Sequence, residues 1–343
     1  MANLGPTNLP NSYKSWGLSY KRLIRKNYEK GPDYRQGLFT IESTDKWEER
    51  VGEKYTEGDF AVRHDGETAA EGSIKEGYRQ NFTQHWFSMK FGYGYLFERF
   101  QIKDLKANND FMRHLGERAY RVQQNMPWSM ITYGGFADTN AYLTALTGTS
   151  TSSLLPDGKR IFSTAHPVSP ENSTTWSNVS ATNAVFSEAA YQAGLENLEG
   201  GQLDMDGKVI PMGMEGKCVY VPYNKLPEAE RILESTLRAG TTDNDKNVYN
   251  DGGPLGQTEL KAIPSWLMDT TNYPNMWFMT DKGVVKDSSG LQVLDNQSFN
   301  TEDYTDTPTK TAYVEGNFIT TVGPVCSRGM YGSLGTGTGS YTD

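Results

Sequence analysis

Between Phe87 and Tyr95 the chain alternates strictly: Phe87, Met89, Phe91, Tyr93 and Tyr95 are separated by Ser88, Lys90, Gly92 and Gly94. A period of two with one apolar face is the pattern of a half-buried strand. Upstream, Trp47-Glu-Glu-Arg-Val-Gly-Glu-Lys-Tyr55 is charged and turn-rich. Together the two stretches predict a long hairpin over residues 46–100 with one aromatic face. Such a hairpin is marginal alone and wants another surface to lie on. An ordinary sheet in the core is the alternative, and the alternation does not choose between them. The period then changes. Leu105, Met112, Leu115, Ala119, Val122 and Met126 recur at helical spacing. They predict a helix over 102–127, capped by Asp104, ended by Pro127, and polar on the face of Arg113, Glu117, Arg118, Arg121 and Gln124.

The remaining chain is a mixture. Residues 1–45 are polar, hold Pro6, Pro10 and Pro32, and show little period, so an extended arm is expected, with a frayed terminus as the alternative. Thr132–Ser153 is small and polar. It leads into Leu155-Pro-Asp-Gly-Lys-Arg-Ile-Phe-Ser-Thr-Ala-His-Pro167, which reads as a turn at Pro156-Asp157-Gly158 feeding a brief buried strand that Pro167 ends. Residues 168–184 read as a polar loop. Ser187 and Glu188 open a second helix, with Phe186 and Tyr191 placed as a staple and Gly200-Gly201 as its stop. Asp206-Gly207 makes a turn, Cys218–Pro222 a buried strand, and Pro227 opens a third helix that runs to Gly240. Short strands are expected at Leu260–Ile263, Trp277–Met279, Val284-Val285, Leu291–Val293 and Tyr313–Val322, followed by a loose tail from Gly332. The plan is α+β.

Composition narrows the function more than the fold. The chain has 343 residues, enough for a real core, and its 36% hydrophobic fraction rises to about 46% once its 35 glycines are counted, an ordinary globular value. A net charge of −9 argues against sequence-specific DNA binding, though not against passive enclosure of nucleic acid. Two cysteines, Cys218 and Cys326, make no disulfide framework and have no metal-ligand spacing, which suits a reducing compartment. Met1-Ala-Asn-Leu-Gly-Pro6 lacks the pattern of a secretory signal, and no run of about 18 apolar residues suggests a membrane span. A cytosolic chain is expected.

Candidates for catalysis are few. His64, His85, His114 and His166 are scattered, and no pair has helical metal-ligand spacing. Ser163 and His166 are three apart but lack a Gly-x-Ser-x-Gly elbow, so a histidine that ties down a turn is the favoured reading over a Ser/His hydrolase. Gly216-Lys217-Cys218 departs from a phosphate loop at Pro211 and Cys218. Asp243-x-Asp245-x-Asn247 departs from a calcium loop at Val248 and Pro254. Asp204 and Asp206 read as loop solvation. The basic Arg22–Lys26 cluster reads as a solvated face, with contact to an acidic neighbour or enclosed DNA as the sharper alternative. No catalytic, cofactor or metal residue is expected.

From about Leu105 to Val322 the order of features resembles the major capsid (major head) proteins of tailed bacteriophages. The shared run is a long helix with Leu115-Gly-Glu-Arg-Ala119, then Asp157, Gly158, Lys159, Arg160, Ile161, Phe162, Ser163, Thr164, Ala165, His166 and Pro167. It continues with Ser187-Glu-Ala-Ala190, Asp206-Gly207-Lys208, Val219-Tyr-Val-Pro222 and Pro227-Glu-Ala-Glu230, and more weakly with Trp277-Phe278 and a Phe318 strand. Residues 1–100 match by layout only. The resemblance implies the Hong Kong 97-type capsid fold, with an N-terminal arm (1–45), an extended loop (46–100), a peripheral domain with a spine helix (101–180), an axial domain that returns to the peripheral one (181–322) and a tail (323–343). It implies structural-signature roles for Asp157, Gly158, Lys159, Phe162, Ser163, His166 and Pro167. Trp47, Phe87, Met89, Phe91, Tyr93 and Tyr95 would then be hairpin contacts between subunits. The implied function is self-assembly into pentamers and hexamers of an icosahedral head that encloses double-stranded DNA. Implied partners are a separate scaffolding protein, a portal protein at one vertex, a possible decoration protein and the packaged DNA, with no membrane. The implied location is the virion, assembled in the host cytoplasm. An encapsulin-like cargo compartment of the same fold is the alternative, and a Ser163/His166 hydrolase the more distant one.

Overall fold

The computed structural model describes residues 11–57, 61–63, 65, 68–69, 71–93, 105–211, 217–236, 247, 249–250, 258–306, 308, 311–339 and 341. The first element corrects the extended arm: α1 (Asn11–Tyr28) is a helix of 18 residues. Tyr20, Leu23 and Ile24 lie on its buried side, and Arg25 and Lys26 stand in its last turn, where cations complement the helix dipole. Strand β1 (Thr40–Ser43) follows, then a hairpin of β2 (Glu48–Glu57) and β3 (Ser73–Thr83), in register from Glu48 opposite Thr83 to Glu57 opposite Ser73.

The hairpin is therefore real but not the one the alternation suggests. The aromatic strand β4 (His85–Tyr93) does not pair with the charged β2. It lies against a strand from the far end of the chain, with Phe87 opposite Phe318 and Phe91 opposite Val314. Phe87 stacks on Phe318 at 5.2 Å, and Met89 and Phe91 pack on Ile24, Met112, Leu115 and Val314. The apolar face of these three residues is half-buried within the same chain. The side chain of Tyr93 and all of Tyr95 lie outside the described residues.

The long helix α2 (Leu105–Thr132) contains Pro127 rather than ending there. An internal proline costs about 3 kcal/mol. The turn beyond it buries Trp128, Met130 and Ile131, and full burial of one large apolar side chain returns about 1.5–3 kcal/mol. Burial wins. Asp104 lies outside the described residues. The expected polar stretch after it holds a short helix, α3 (Ala141–Thr147), whose cap Asn140 accepts from the Leu143 N–H at 3.0 Å.

The focal stretch also differs from its reading. Ile161 and Phe162 are buried without forming a strand. Strand β5 (His166–Ser169) begins at His166 and carries Pro167 inside it, paired with β6 (Asn172–Trp176) across the expected loop. A two-stranded ribbon has only edges, so a proline lacking its N–H is tolerated. Helix α4 (Glu188–Glu196) starts as expected, with the Ser187 hydroxyl accepting from the Ala190 N–H, and runs into one wide turn at Asn197–Gly201. Next come β7 (Lys217–Pro222), α5 (Leu226–Leu233), β8 (Glu259–Ile263) and β9 (Trp277–Asp281). Gly240 lies outside the described residues. Val284 and Val285 are helical, in α6 (Lys282–Asp287), because the Asp281 carboxylate accepts from the Gly283 and Val284 N–H groups and caps the turn.

Two long strands, β10 (Leu291–Asp306) and β11 (Thr311–Pro324), and the short β12 (Met330–Ser333) complete the chain. One sheet has the order β1-β10-β11-β4 and the other β12-β9-β7-β8. In the second, Cys218 and Tyr220 of β7 face the core beneath α2, with Trp128, Phe162 and Phe278, while Val219 and Val221 face Tyr191, Leu195 and Trp277 below α4. The predicted loose tail is instead seated. Gly332 lies so close to Phe162 that a Cβ there would fall 2.6 Å from its ring, and the Tyr341 hydroxyl donates to the Phe162 carbonyl at 2.8 Å.

Candidate functional site

The turn at the start of the focal stretch forms as its residues dictate. Gly158 takes φ +79°, and its N–H donates to the Leu155 carbonyl at 2.9 Å. Asp157 uses one carboxylate oxygen on the Lys159 N–H (2.8 Å) and aims the other at His166 Nδ1 (2.9 Å). The far side of that ring, Nε2, lies 3.2 Å from Asn178 Oδ1 and 3.3 Å from Ser327 Oγ. Asn178 is itself a clamp: its Oδ1 accepts from the Ser163 N–H and its Nδ2 donates to the Ile161 carbonyl. Trp176 stacks on the imidazole at 4.8 Å. The chain thus brings Asp157, Gly158, Lys159, Ser163, His166 and Pro167 into one node, with Phe162 in the core beside it.

A second polar tie adjoins the first. Arg328 Nη1 donates to Glu53 Oε1 at 3.0 Å, Nε to the Leu203 carbonyl at 2.8 Å and Nη2 to the Val168 carbonyl at 2.7 Å. Glu53 stands on β2, so this pair fastens the hairpin to the body. Burial pushes the Glu53 carboxyl above its ordinary range, further than the Arg328 charge pulls it back. Burial, with the Glu53 carboxylate beside it, pushes the Cys326 thiol up to about 12. Between the two ties is a cavity of about 20 Å³ lined by Glu53, Tyr78, Asp157, Trp176, Ser327 and Arg328 among others. That is room for about one water molecule.

Asp157, His166 and Ser327 stand in the order of a carboxylate–imidazole–hydroxyl relay. Their surroundings do not serve one. His166 is 1% exposed, Ser327 is buried, Asn178 Oδ1 shares Nε2, and the adjoining space admits no substrate larger than water. Ser163, the nucleophile of the hydrolase alternative, is buried, and its Oγ accepts from the Ala165 N–H. The node is built to hold a turn, a ribbon and the Ser327 loop together.

The other candidates resolve structurally. Lys217 is buried in strand β7 and paired with Glu199 at 2.9 Å, and Gly216 lies outside the described residues. Asp204 Oδ1 accepts from the Asp206 and Lys208 N–H groups and shapes a turn. Asp243 and Asp245 lie outside the described residues, and the Asn247 amide donates to the Ile232 and Ser235 carbonyls after α5. No group of three or more metal-type side chains occurs among the described residues. Trp47, at the foot of the hairpin, is 57% exposed. Sequence reasoning did not find Glu53, Asn178, Ser327 or Arg328: Glu53, Ser327 and Arg328 gain their roles from partners far along the chain, and Asn178 from partners 12 to 17 residues back across the β5–β6 ribbon.

No protein-family model and no curated protein matches this sequence. Solved structures do match. A chain of Mycobacterium phage Patience aligns with a TM-score of 0.54 at 11% identity, over 100% of this chain and 92% of that one. The mature capsid of bacteriophage PhiM1 aligns at 0.51 and 12% identity, over 88% and 86%. The capsid of Ralstonia phage GP4 aligns at 0.51 and 12% identity, over 86% of each chain. The match extends over most of each chain, and the fold is the Hong Kong 97-type fold of phage capsid proteins.

Proposed function

We propose that this chain is the major capsid protein of a tailed phage, a structural subunit that assembles with copies of itself into an icosahedral head around double-stranded DNA. The observation that carries the reading is the match of fold to phage capsid chains over 86–88% of this chain. The buried node at His166 supports it, since it is a tie between segments with no room for a substrate. Symmetric contacts between many copies would supply the stability that a lone chain lacks. In this reading residues 1–45 are the N-terminal arm, here partly helical, and the extended loop is the β2–β3 hairpin. Residues 101–180 form the peripheral domain on α2, 181–322 the axial domain with the strands returning to the periphery, and 323–343 the tail. Pentamers and hexamers of this subunit, a separate scaffolding protein, a portal protein at one vertex and a possible decoration protein complete the assembly. Assembly in the host cytoplasm and residence in the virion follow from the same reading.

The test is negative-stain electron microscopy with mass photometry on the purified chain, alone and with a candidate scaffold. Shells, tubes, or five- and six-fold rings are expected. A strict monomer in both conditions, across salt and concentration, overturns the reading.

A further inference from the structure

The small cavity between the two polar ties has walls from both sides of a seam. The β2–β3 hairpin supplies Glu53 and Tyr78, and the body supplies Asp157, Trp176, Ser327 and Arg328. One of these walls carries an unmet demand. Trp176 is 5% exposed, and its indole N–H is buried with no hydrogen-bond acceptor among the described residues. The ring cannot easily turn to find one, because it stacks on the His166 imidazole at 4.8 Å and has the Arg328 guanidinium over it at 5.8 Å. A buried donor held in place beside a polar cavity calls for a ligand that can accept its hydrogen.

The chemistry of the walls selects the ligand. A space of about 20 Å³ takes a monatomic ion or one water molecule. A chloride ion would accept from the indole but face the carboxylates of Glu53 and Asp157 together. A metal cation would suit the carboxylates but meet the Arg328 charge and the indole N–H. Water satisfies both sides, since it accepts one hydrogen bond while donating two. Burial chiefly raises the Glu53 carboxyl, and the Asp157 charge adds to the rise, so the two acids feel each other across the seam. We infer that one water molecule is a built-in ligand of this seam, accepting from the Trp176 indole N–H and donating to the Glu53 and Asp157 carboxylates. It joins the Glu53–Arg328 tie to the Asp157–His166 tie, so the hairpin traps the water on seating and releases it on opening. The inference concerns the lone subunit and does not depend on the shell reading.

The test is a structure of the unaltered full chain at a resolution that shows ordered solvent, with nuclear magnetic resonance of its tryptophan indoles. Density for one water is expected within hydrogen-bond reach of Trp176 Nε1 and of a carboxylate oxygen of Glu53 or Asp157. In the rotating frame, dipolar contact with water and proton exchange have opposite signs, and the Trp176 indole proton should show the dipolar cross-peak. Trp176→Phe removes one of the seven indole signals and so assigns it. Trp176→3-benzothienylalanine keeps the shape and stacking of the ring but puts sulfur in place of the N–H. It should lose the water density and raise proteolytic cleavage inside residues 48–83 by about fivefold, the worth of one ordinary hydrogen bond. A dry cavity without the cross-peak overturns the inference, and so does density with the anomalous signal of chloride or a metal. Water retained by the isostere, or lost with no change in cleavage, overturns it too. If neither variant folds, the density in the unaltered chain decides.

Discussion

The Glu53–Arg328 pair is the strongest polar tie between the β2–β3 hairpin and the body, and its removal has a calculable effect. The two side chains are 6% and 8% exposed. Replacing Glu53 by Ala leaves the guanidinium bonded to the Leu203 and Val168 carbonyls with no anion, and breaking a buried pair in this way costs about 3–5 kcal/mol. What else holds the hairpin is weaker beyond its root. Lys75–Glu171 is a surface bridge at 2.8 Å, worth about 0.2–1 kcal/mol. Phe82 packs on Leu294 and Val325 at the root itself. Local opening should therefore rise by about 100-fold or more, at 1.4 kcal/mol per tenfold. The assay is limited proteolysis of the unassembled subunit, with cleavage inside residues 48–83 followed by mass spectrometry. Glu53→Ala should be cut at least about 100-fold faster, provided opening precedes cleavage. Glu53→Gln, which keeps an acceptor for Nη1, should change the rate about tenfold or less. The apolar pair Glu53→Leu/Arg328→Met should recover most of the protection. Cleavage of Glu53→Ala within threefold of the unaltered chain would refute the argument.

Acid should not release this hairpin through Glu53. Its carboxyl titrates higher in the folded chain than in the unfolded one, so the folded state binds the proton more tightly. Its contribution is then full below the unfolded value and lost as pH rises through the folded one. Hairpin amides should accordingly show no gain in opening between pH 7 and pH 5 by hydrogen exchange corrected for intrinsic rates. Gly116→Ala should destabilise by about 1–3 kcal/mol in urea, because its Cβ meets the Ile24 carbonyl, which is backbone and cannot rotate aside. His166→Leu leaves Asp157 and Asn178 without their ring partner and should cost about 1–3 kcal/mol. Ser163→Ala should cost less than about 1.5 kcal/mol, the net worth of an ordinary hydrogen bond. A urea midpoint for His166→Leu equal to that of the unaltered chain would remove the node from the fold's supports.

Local pattern carried much of the secondary structure, and long-range pairing carried what it missed. The stripe from Leu105 to Met126 became α2, Ser187 became a cap and the unbroken Cys218–Pro222 run became a strand buried on both faces. Each is a property of neighbours in sequence. The alternation at Phe87–Phe91 correctly marked a strand, but a period of two does not name a partner. The partner proved to be β11, more than two hundred residues away, so the aromatic face went into the chain's own core. Helix α1 was hidden because its stripe of Tyr20, Leu23 and Ile24 is short and sits among cations. Val284-Val285 looked like a strand only because the cap at Asp281 was not weighed. At the site, Asp157 and His166 were legible together, lying in one motif. Ser327, Glu53 and Arg328 were not, because a residue whose role is to close a loop of well over a hundred positions bears no local mark, and Asn178 reaches its partners only once the β5–β6 ribbon has folded back.

The surface that remains uncovered bears on the shell reading. Trp47 and Trp86 are 57% and 65% exposed and lie at one junction, where the Gln84 N–H donates to the Trp47 carbonyl, and Ile74 on the hairpin is 79% exposed. Strand β4, which carries Trp86, is an edge of its sheet, with one side paired to β11 and no strand of the described residues on the other. Chains that work alone blunt such edges with charge, proline or a covering loop, and they rarely leave two tryptophans beside one. Phe87, Met89 and Phe91 found cover within the chain, while Trp47, Ile74 and Trp86, around the same hairpin, did not. Apolar surface left beside an open strand edge is what a subunit can carry when copies of itself provide the cover. That is a physical reason, separate from likeness of fold, for the shell reading.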